Sequence, residues 1–401
     1  MHRECRQSLL NPEEEISKEA ILGRMGVEEE RRGQKELEEK VIRTGLCTGC
    51  GACVGLCPYH ASYEDRVVVL NRCDLKEGRC YSFCPRTPTN LEALRKDLFE
   101  RGDLTPEIGA VRGFHIARAS DPEIRGKAQH GGAVTALMGL ALEKGFIEEA
   151  ILTGKGEDLL PEGASVNDPG GVFRLSKTRF VVSPVLGLFN RMGTEGRRKT
   201  GIVATPCQTL ALAKMRVQSM EGNGGTNARL GLIVGLFCGW AFSWEKLRAI
   251  LHKKAEIANI DGMDVPPSQY HTLEVYTSSG TIDVSLDEIV PCVRDACWNC
   301  FDMTAEFSDI SVGSARLPEG WEEARHWNQI IVRSRTGEAL MALAKAEGTL
   351  EFRDVPEGNL ERLKQAALKK KQTAVRNLVG KSGRSDDLLY LDRRDPAFED
   401  L

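Results

Sequence analysis

Short apolar runs alternate with amphipathic stretches along most of the chain after about residue 101. Runs rich in β-branched residues predict buried strands, and apolar residues three or four positions apart predict helices. The predicted strands are 114–119, 149–153, 179–182, 201–204, 230–237 and 329–332. The predicted helices are 133–144, 209–217 and 244–254. Because such alternation is typical of α/β folds, we expect a mixed α/β domain over residues 105–345.

Charged residues replace this pattern at both ends of the chain. Residues 1–44 predict a helical, charged extension, and residues 346–401 predict a helical, charged tail that includes a basic amphipathic helix over 360–378. We expect partner docking to order both segments, although disordered, solvated tails are the alternative. Their scattered apolar positions would then be buried by the partner, namely Leu9, Ile16, Ile21, Leu388 and Leu391.

Composition narrows the class of protein. The 401 residues are 41% hydrophobic and 28% charged, as in ordinary globular proteins. A net charge of −4 argues against nucleic-acid binding through a general basic field. No apolar run reaches the length of about 18 residues that a membrane span needs, and the N-terminal residues show no secretory pattern. We therefore expect a cytoplasmic protein without a membrane span.

Cysteine is the unusual residue of this composition. Seven of the 13 cysteines lie between Cys47 and Cys84, in a stretch too short for an ordinary core. The run LCTGCGACVGLCP has the spacing C-x2-C-x2-C-x3-C-P, which is the bacterial ferredoxin pattern. A structural zinc site normally uses two separated cysteine pairs instead. Residues 45–90 therefore predict a ferredoxin-like module that binds an iron–sulfur cluster.

The second half of this module lacks one cysteine. In two-cluster ferredoxins the fourth cysteine of each motif ligates the other cluster. The first cluster would then use Cys47, Cys50, Cys53 and Cys84. The second would use Cys57, Cys73 and Cys80. Asp74 or water could supply the missing ligand, a three-iron cluster could form, or the site could be empty; we expect an occupied site.

The motifs KTRFVVSP, VATPCQTLAL, LFCGWAF and CVRDACWNCFD follow the module in this order. Over about residues 40–345 the chain resembles the beta-subunit family of coenzyme F420 hydrogenases and dehydrogenases, which also includes 7-hydroxymethyl chlorophyll a reductase. Coenzyme F420 is a 5-deazaflavin hydride carrier. The resemblance implies FAD and a further [4Fe-4S] cluster in the large domain. The ligands that it implies are Cys207, Cys238, Cys297 and Cys300, for one of which Cys292 could substitute.

The same resemblance implies a set of flavin-binding residues. They are Gln129, Gly131, Gly132, Thr135, Lys177, Ser183, Thr205 and Gln208. The first four form a glycine-rich turn before a helix, which suits a phosphate group but is also an ordinary helix start. His130 stands where members of the family commonly have Asp or Ser. His130 and Gln208 are the catalytic candidates. His130 could be a proton relay near the flavin or a solvated turn residue, and we slightly favour the solvated turn. The family's turn residues Asp309, Ser311 and Gly313 are expected near the same site.

A flavin handles electron pairs and an iron–sulfur cluster handles single electrons. The resemblance therefore implies an oxidoreductase subunit with FAD and two to three [4Fe-4S] clusters, which exchanges hydride with a soluble carrier and relays electrons to a partner subunit. The carrier would be a deazaflavin like coenzyme F420, or NAD(P)H, although no G-x-G-x-x-G fingerprint is present. The partner would be a hydrogenase, formate dehydrogenase or heterodisulfide reductase-like subunit. An electron-transfer adaptor without its own substrate and a flavin reductase of an organic substrate are the alternatives.

Overall fold

The computed structural model describes residues 32–177, 179–192, 198–217, 229–399 and 401. Most of the predicted N-terminal extension, with Leu9, Ile16 and Ile21, lies outside these residues. The strands are β1 (His60–Tyr63), β2 (Arg66–Val69), β3 (Leu104–Thr105), β4 (Gly109–Ala110), β5 (Gly113–Ala119), β6 (Glu149–Gly154), β7 (Glu162–Val166), β8 (Thr200–Ala204), β9 (Leu230–Leu236), β10 (Ile260–Asp264), β11 (Thr272–Thr277), β12 (Gly280–Ser285), β13 (Ile310–Ser314), β14 (Asn328–Val332) and β15 (Leu350–Arg353).

Helices connect most of these strands. They are α1 (Gln34–Leu37), α2 (Arg79–Ser82), α3 (Leu91–Leu98), α4 (Pro122–Lys127), α5 (Ala133–Glu143), α6 (Pro169–Arg174), α7 (Val185–Arg191), α8 (Pro206–Val217), α9 (Trp244–Leu251), α10 (Leu286–Ile289), α11 (Asp295–Trp298), α12 (Trp321–Ala324), α13 (Arg335–Ala346) and α14 (Asn359–Ser382). A π-helical turn, Glu38–Ile42, continues α1. No helix in the described part of the chain is long and apolar enough to cross a membrane.

One mixed sheet forms the large domain, which we define as residues 104–353. Its strand order, over the described residues, is β15-β5-β14-β13-β9-β8-β6-β7. Strands β6, β8, β9 and β13 are parallel, and β14 runs antiparallel to both β13 and β5. Strand β5 therefore points the same way as the parallel strands. The mixed α/β architecture predicted for this part of the chain is confirmed, and β15 extends the sheet beyond residue 345.

Alternate residues of the central strands bury opposite faces of this sheet, as the two-residue repeat of a strand requires. Leu232 and Val234 of β9 join the core formed with α5 and α13. Ile233 joins a second core formed with α7 and α8, which also contains Phe83 of the cysteine-rich module. The module therefore packs on the α7–α8 side of the large domain.

A small antiparallel sheet, β10-β11-β12, packs against α9 and α10 and was not predicted. The predicted strand over 179–182 is wrong, since Val181 makes only an isolated bridge with Phe242. Both residues are buried in the core of this small sheet. Val181 packs in this core without joining a strand ladder.

Close backbone contacts fix the module against the large domain. Gly51 has φ +83°, and a Cβ atom on it would lie 2.9 Å from the backbone nitrogen of Gly187 in α7. Only glycine fits such a conformation and such an approach. Asn190 of the same helix donates to two carbonyl groups of the module, those of Ala52 at 3.1 Å and Val54 at 2.7 Å. The position of the cysteine motif is therefore set by α7.

The two ends of the described chain belong to the core. Leu37 and Val41 are buried, so the end of the predicted N-terminal extension is part of the module. Leu388 and Leu391 are buried in the same cluster. The expectation that a partner buries Leu388 and Leu391 is wrong, because residues of the chain itself already cover them. Helix α14 also runs longer than the predicted 360–378.

A buried network of charges joins these parts. Glu306, whose side chain is 1% exposed, forms ion pairs with Lys371 of α14 and with Arg95 of α3, the latter at 3.2 Å. Arg95 also binds Asp395 near the C-terminus at 2.9 Å. Burial alone would raise the pKa of Glu306, but Lys371 and Arg95 outweigh it and lower the pKa. The carboxylate is therefore held ionised inside the protein.

We predict that Lys371→Met lowers the free energy of unfolding by about 3–5 kcal/mol, because it leaves Glu306 with one of its two cationic partners in a buried site. Lys369→Met is the matched control, since Lys369 is exposed on the same helix. Anaerobic denaturant titration of the two variants and the parent checks this. Equal stability of K371M and the parent would contradict it.

Candidate functional site

The carboxyl ends of β5, β8, β9 and β13 lie at one edge of the main sheet, since these strands point the same way. Ligand sites of open α/β sheets form at this edge. The glycine-rich turn follows β5, Cys207 lies in the first turn of α8 after β8, and Cys238 follows β9. The fold thereby brings together motifs that are far apart in sequence.

Four thiols converge beside this edge, and we call them the junction site. They are Cys207, Cys238, Cys297 and Cys300. The Cys207 sulfur lies 3.4 Å from Thr205 Oγ1, and the backbone N–H of Ala241 donates to the Cys297 sulfur at 3.3 Å. Burial raises the pKa of Cys238, and negative charge on the other three sulfurs raises it further. The four sulfurs therefore lie within close electrostatic reach of one another.

Two cations lie against the junction site. The Lys370 ammonium donates to the carbonyl of Cys238 at 2.6 Å, and the Arg86 guanidinium donates to the carbonyl of Asn299 at 3.0 Å. Burial favours a neutral Cys300 thiol, but Lys370 and Arg86 reverse the balance and lower its pKa. Such charges stabilise ligand thiolates. Sequence reasoning missed both residues, although Arg86 directly follows the Cys84-Pro85 pair.

Cys292 lies outside the junction site. It is 2% exposed and packs in the core of the small sheet, with its sulfur 3.9 Å from the carbonyl oxygen of Glu288. Burial raises its pKa, and Lys246 is the charged residue that opposes this rise. The geometry thus favours Cys297 over Cys292 as a member of the four-thiol set.

Within the module, Cys47, Cys50, Cys53 and Cys84 line one apolar cavity, which we call the first module site. Burial raises the pKa of Cys84 to about 12, against the opposing charge of Lys214. The Lys214 ammonium donates to the Cys84 carbonyl at 2.6 Å, and its own burial lowers its pKa to about 8. The large domain therefore places a cation directly beside this site.

Cys57, Cys73 and Cys80 form the second module site. Burial raises the pKa of Cys80 to about 11, with contributions from charge on Cys57 and on Cys73. Asp74, a predicted source of the missing ligand, is exposed. His60 was not predicted here, but it is 4% exposed and its Nδ1 lies 3.8 Å from the Cys57 sulfur. Its Nε2 is buried without a hydrogen-bond partner among the described residues.

The three sites are neighbours in a row. Negative charge on Cys207 of the junction site raises the pKa of Cys50 in the first module site, second only to burial. Charge on Cys80 of the second module site likewise contributes to the raised pKa of Cys53. The Gln208 amide donates to the carbonyl of Cys50 at 3.4 Å and to that of Ser183 at 2.6 Å. Gln208 thus joins the module to the junction site.

The glycine-rich turn is shaped by packing. Gly132 has φ +78° and precedes α5, and a Cβ atom on Gly131 would lie 2.8 Å from Asn328 Oδ1. The same oxygen accepts the backbone N–H of Ala133 at 3.1 Å. Both glycines are therefore required by the fold, and part of the helix N-terminus is already capped by Asn328.

Polar side chains with unused hydrogen-bonding atoms cluster at this turn. Gln129 Nε2 donates to Asp264 Oδ1 at 2.6 Å, and His130 Nε2 lies 3.7 Å from the same oxygen. The His130 ring packs edge-on against Trp321 at 5.6 Å. Four buried atoms have no hydrogen-bond partner among the described residues, namely Gln129 Oε1, His130 Nδ1, Asp264 Oδ2 and Trp321 Nε1, although Arg325 lies 4.0 Å from Asp264 Oδ2. We call these residues the polar pocket.

Burial controls the protonation of the polar pocket. It lowers the pKa of His130 and raises that of Asp264, although each charge favours the other. Asp264 and Trp321 were not predicted. The only signals in the sequence are a charged residue at the end of a strand, for Asp264, and a large aromatic residue at the start of a helix, for Trp321. The predicted solvated-turn role of His130 does not hold, because its side chain is 16% exposed.

The remaining predicted flavin residues lie at different places. Lys177 is exposed in the loop after α6, and Thr135 is buried in α5. Thr205 donates its backbone N–H to Gln208 Oε1 at 2.9 Å, beside the junction site. The Ser183 hydroxyl is buried and has no partner in the described residues. Asp309 directly precedes β13, and its carboxylate binds Arg216 at 3.2 Å and the Ile233 N–H at 2.8 Å within the fold.

These features can be compared with what the implied cofactors need. In the described residues, no group of three or more His, Cys, Asp or Glu side chains closes around a single metal ion. Buried thiols in sets of four, with cations beside them, instead fit iron–sulfur clusters. The unused donors and acceptors of the polar pocket fit a ligand with a polar ring edge, such as a flavin or deazaflavin.

A mixed α/β domain with grouped cysteines and a ferredoxin-like module defines an iron–sulfur oxidoreductase. The chain belongs to the coenzyme F420 hydrogenase/dehydrogenase beta-subunit family: residues 114–190 match the family's N-terminal sequence model and residues 197–358 its C-terminal one. Residues 40–63 match a 4Fe-4S binding domain. The family and the oxidoreductase class predicted from the sequence are confirmed.

Three similar proteins illustrate this membership. The coenzyme F420 hydrogenase subunit beta of Methanothermobacter thermautotrophicus is 28% identical over 68% of this chain and 96% of its own length. The coenzyme F420-dependent sulfite reductase of Methanocaldococcus jannaschii is 26% identical over 82% of this chain and half of its own. A chain of the F420-reducing [NiFe] hydrogenase complex from Methanosarcina barkeri is 26% identical, with a TM-score of 0.62 over 69% of this chain and 94% of its own.

We predict that Cys207→Ala removes about four irons per chain and leaves the module's clusters in place, because the junction site has its own set of ligands. Cys292→Ala is the matched control and should keep the full iron content, since Cys292 packs apart. Anaerobic iron and sulfide analysis with electron paramagnetic resonance (EPR) spectra checks both. Full iron content in C207A would contradict the ligand assignment.

Proposed function

We propose that this chain exchanges hydride with a soluble deazaflavin carrier at a bound FAD and passes single electrons through its iron–sulfur clusters to or from a partner subunit. When bound, the flavin would supply the conversion between electron pairs and single electrons. The junction site would hold one cluster and the module the others. The similarity to a coenzyme F420 hydrogenase subunit and to a coenzyme F420-dependent sulfite reductase supports a carrier of this class.

The contiguous row of cysteine sites is the observation that carries this proposal. Gln208, next to Cys207, donates to the carbonyl of Cys50 at 3.4 Å, and Cys53 and Cys80 are buried in one apolar cluster. Pro85 and Arg86, which follow Cys84, line one cavity with Cys207 and Cys300. Such a row would carry single electrons between the large domain and the module, as electron delivery to or from a partner requires.

The far end of this row is accessible. Leu75, in the loop between Cys73 and Cys80, is 66% exposed, whereas Cys50 and Cys53 are buried. Exposed apolar side chains beside a redox site suit transient docking of a protein partner. This arrangement supports the second module site as the outlet toward a hydrogenase, formate dehydrogenase or heterodisulfide reductase-like subunit.

The residues of the polar pocket support the proposed hydride exchange at the flavin. Hydride exchange with a deazaflavin is accompanied by proton uptake or release, which needs a group that can hold a proton near the ring. Burial lowers the pKa of His130, and Asp264 Oδ1 lies 3.7 Å from its Nε2. Its Nδ1 is buried and makes no hydrogen bond within the described residues. The pair would orient the imidazole and exchange a proton through that atom.

Anaerobic absorbance titration of the purified holoprotein tests the proposed function. The reduced deazaflavin should bleach the flavin and the cluster absorbance together, while NADH should act slowly or not at all. If NADH reduced the protein and the deazaflavin did not, the proposed deazaflavin carrier would be wrong. Reduction only by a partner protein, with no response to either carrier, would favour the electron-transfer adaptor.

We predict that His130→Gln slows reduction by the deazaflavin about 100-fold, the lower range for losing a general acid–base group. Iron content and the EPR spectrum after dithionite reduction should stay unchanged. His115→Gln is the matched control, because His115 lies on β5 and packs against Phe352 instead. Stopped-flow traces of the three proteins check this. An unchanged rate in H130Q would exclude the proposed role.

A further inference from the structure

The C-terminal segment, which we define as residues 359–399, lies beyond the region that the family models match, since the last match ends at residue 358. It nevertheless approaches the junction site from two directions. Lys370 contacts the loop that carries Cys238, and Tyr390 contacts the loop between Cys297 and Cys300. These contacts have no counterpart in the motifs by which the family is recognised.

Lys370 makes the first of these two contacts, with the loop that carries Cys238. Its ammonium donates to the carbonyl oxygens of Cys238 at 2.6 Å and Gly239 at 2.8 Å. Fixed positive charge therefore lies close to the thiols through a residue outside the cysteine motifs.

Tyr390 makes the second contact, both directly with the loop between Cys297 and Cys300 and through Arg86. The Tyr390 hydroxyl donates to the carbonyl of Asn299 at 2.6 Å and contacts the Arg86 guanidinium. The guanidinium carbon lies 4.7 Å from the centre of the Tyr390 ring. Arg86 also donates to the carbonyl of Ala296 at 3.2 Å. The C-terminal segment thus holds this second cation against the loop that carries Cys297 and Cys300.

Lys371 fixes how α14 presents Lys370. Its ammonium is fully buried in the ion pair with Glu306, a residue of the same loop. The neighbouring Lys369 is exposed. One turn of α14 therefore presents three lysines to different surroundings, and the buried pair of Lys371 sets the rotation of the helix that brings Lys370 to Cys238.

We propose that the C-terminal segment sets the reduction potential of the cluster held at the junction site, with Lys370 as the principal positioned charge. The proposal rests on the proposed function only in requiring a cluster at that site. Reduction adds one negative charge to the cluster, so a nearby cation stabilises the reduced form more than the oxidised form. Partial burial limits screening by solvent and salt. Loss of the cation must therefore lower the potential.

EPR-monitored redox titration of the holoprotein tests this. Lys370→Gln should lower the equilibrium constant for reduction of the junction cluster about tenfold. For a one-electron couple this lowers the reduction potential by about 59 mV. Lys370→Arg should restore most of the shift, because it keeps the charge. Lys369→Gln is the control and should match the parent. An unshifted potential in K370Q with its cluster intact would overturn the proposal.

A second variant adds a positive charge near the junction site instead of removing one. Asn377 lies two turns further along α14 and donates to the carbonyl of Trp298 at 2.8 Å, next to Cys297. Asn377→Lys adds a cation there and should raise the potential by a smaller factor, even if K370Q loses its cluster. No rise in N377K would then overturn the proposal.

The signal is assigned by comparison with Cys207→Ala. Loss of one signal in C207A identifies the junction cluster whose potential is followed. If no signal is lost there, the cluster assignment itself fails, and the present proposal falls with it. If that signal is present but does not respond to residue 370 or 377, only the role of the C-terminal segment fails.

Discussion

Glu306 lies between Lys371 and Arg95 with almost no exposed surface, and the arrangement of the molecule depends on this carboxylate. It belongs to the loop that carries Cys297 and Cys300, while its partners come from α14 and from the helix after the module. Breaking one member of a buried ion pair is costly, so these elements keep a single relative position. That position holds the loop after Cys300 against α14 and against the helix that follows the module.

Burial of the thiols explains the positive charge around them. Burial raises the pKa of cysteines in all three sites, which opposes the thiolates that clusters need. Lys214 beside Cys84 and Lys370 beside Cys238 offset this cost. The fold thus provides charge compensation from elements other than those that carry the cysteines, which links cluster binding to the packing of the whole chain.

The sequence was most informative where the chemistry is local. The C-x2-C-x2-C-x3-C-P spacing predicted the module because all its constraints lie within eleven residues. The choice between Cys292 and Cys297 stayed open, since spacing could not show that Cys292 packs in the core of the small sheet. Strands β11 and β12 were missed although Leu273 and Val275 alternate with polar residues, because their apolar runs are short.

Long-range pairing was harder to predict. Lys369 to Lys371 lie in the predicted basic amphipathic helix, yet Lys371 is fully buried because it pairs with Glu306, in a loop 65 residues earlier in the chain. Asp264 reaches His130 across 134 residues for a similar reason. Charged residues are exposed in most cases, so a sequence alone predicts exposure for each of them. Whether one of them can be buried depends on an oppositely charged partner, which only the fold brings near.

The position of α14 has a consequence for how the protein is made. A ribosome synthesises the chain from its N-terminus, so Cys207, Cys238, Cys297 and Cys300 all emerge before Lys370 and Tyr390. Until α14 is translated past its midpoint, Glu306 lacks Lys371, and the loop around Cys300 lacks its cover. The interval between synthesis of the last cysteine and docking of the C-terminal segment is therefore when the cellular machinery for iron–sulfur assembly has its freest access to the junction site.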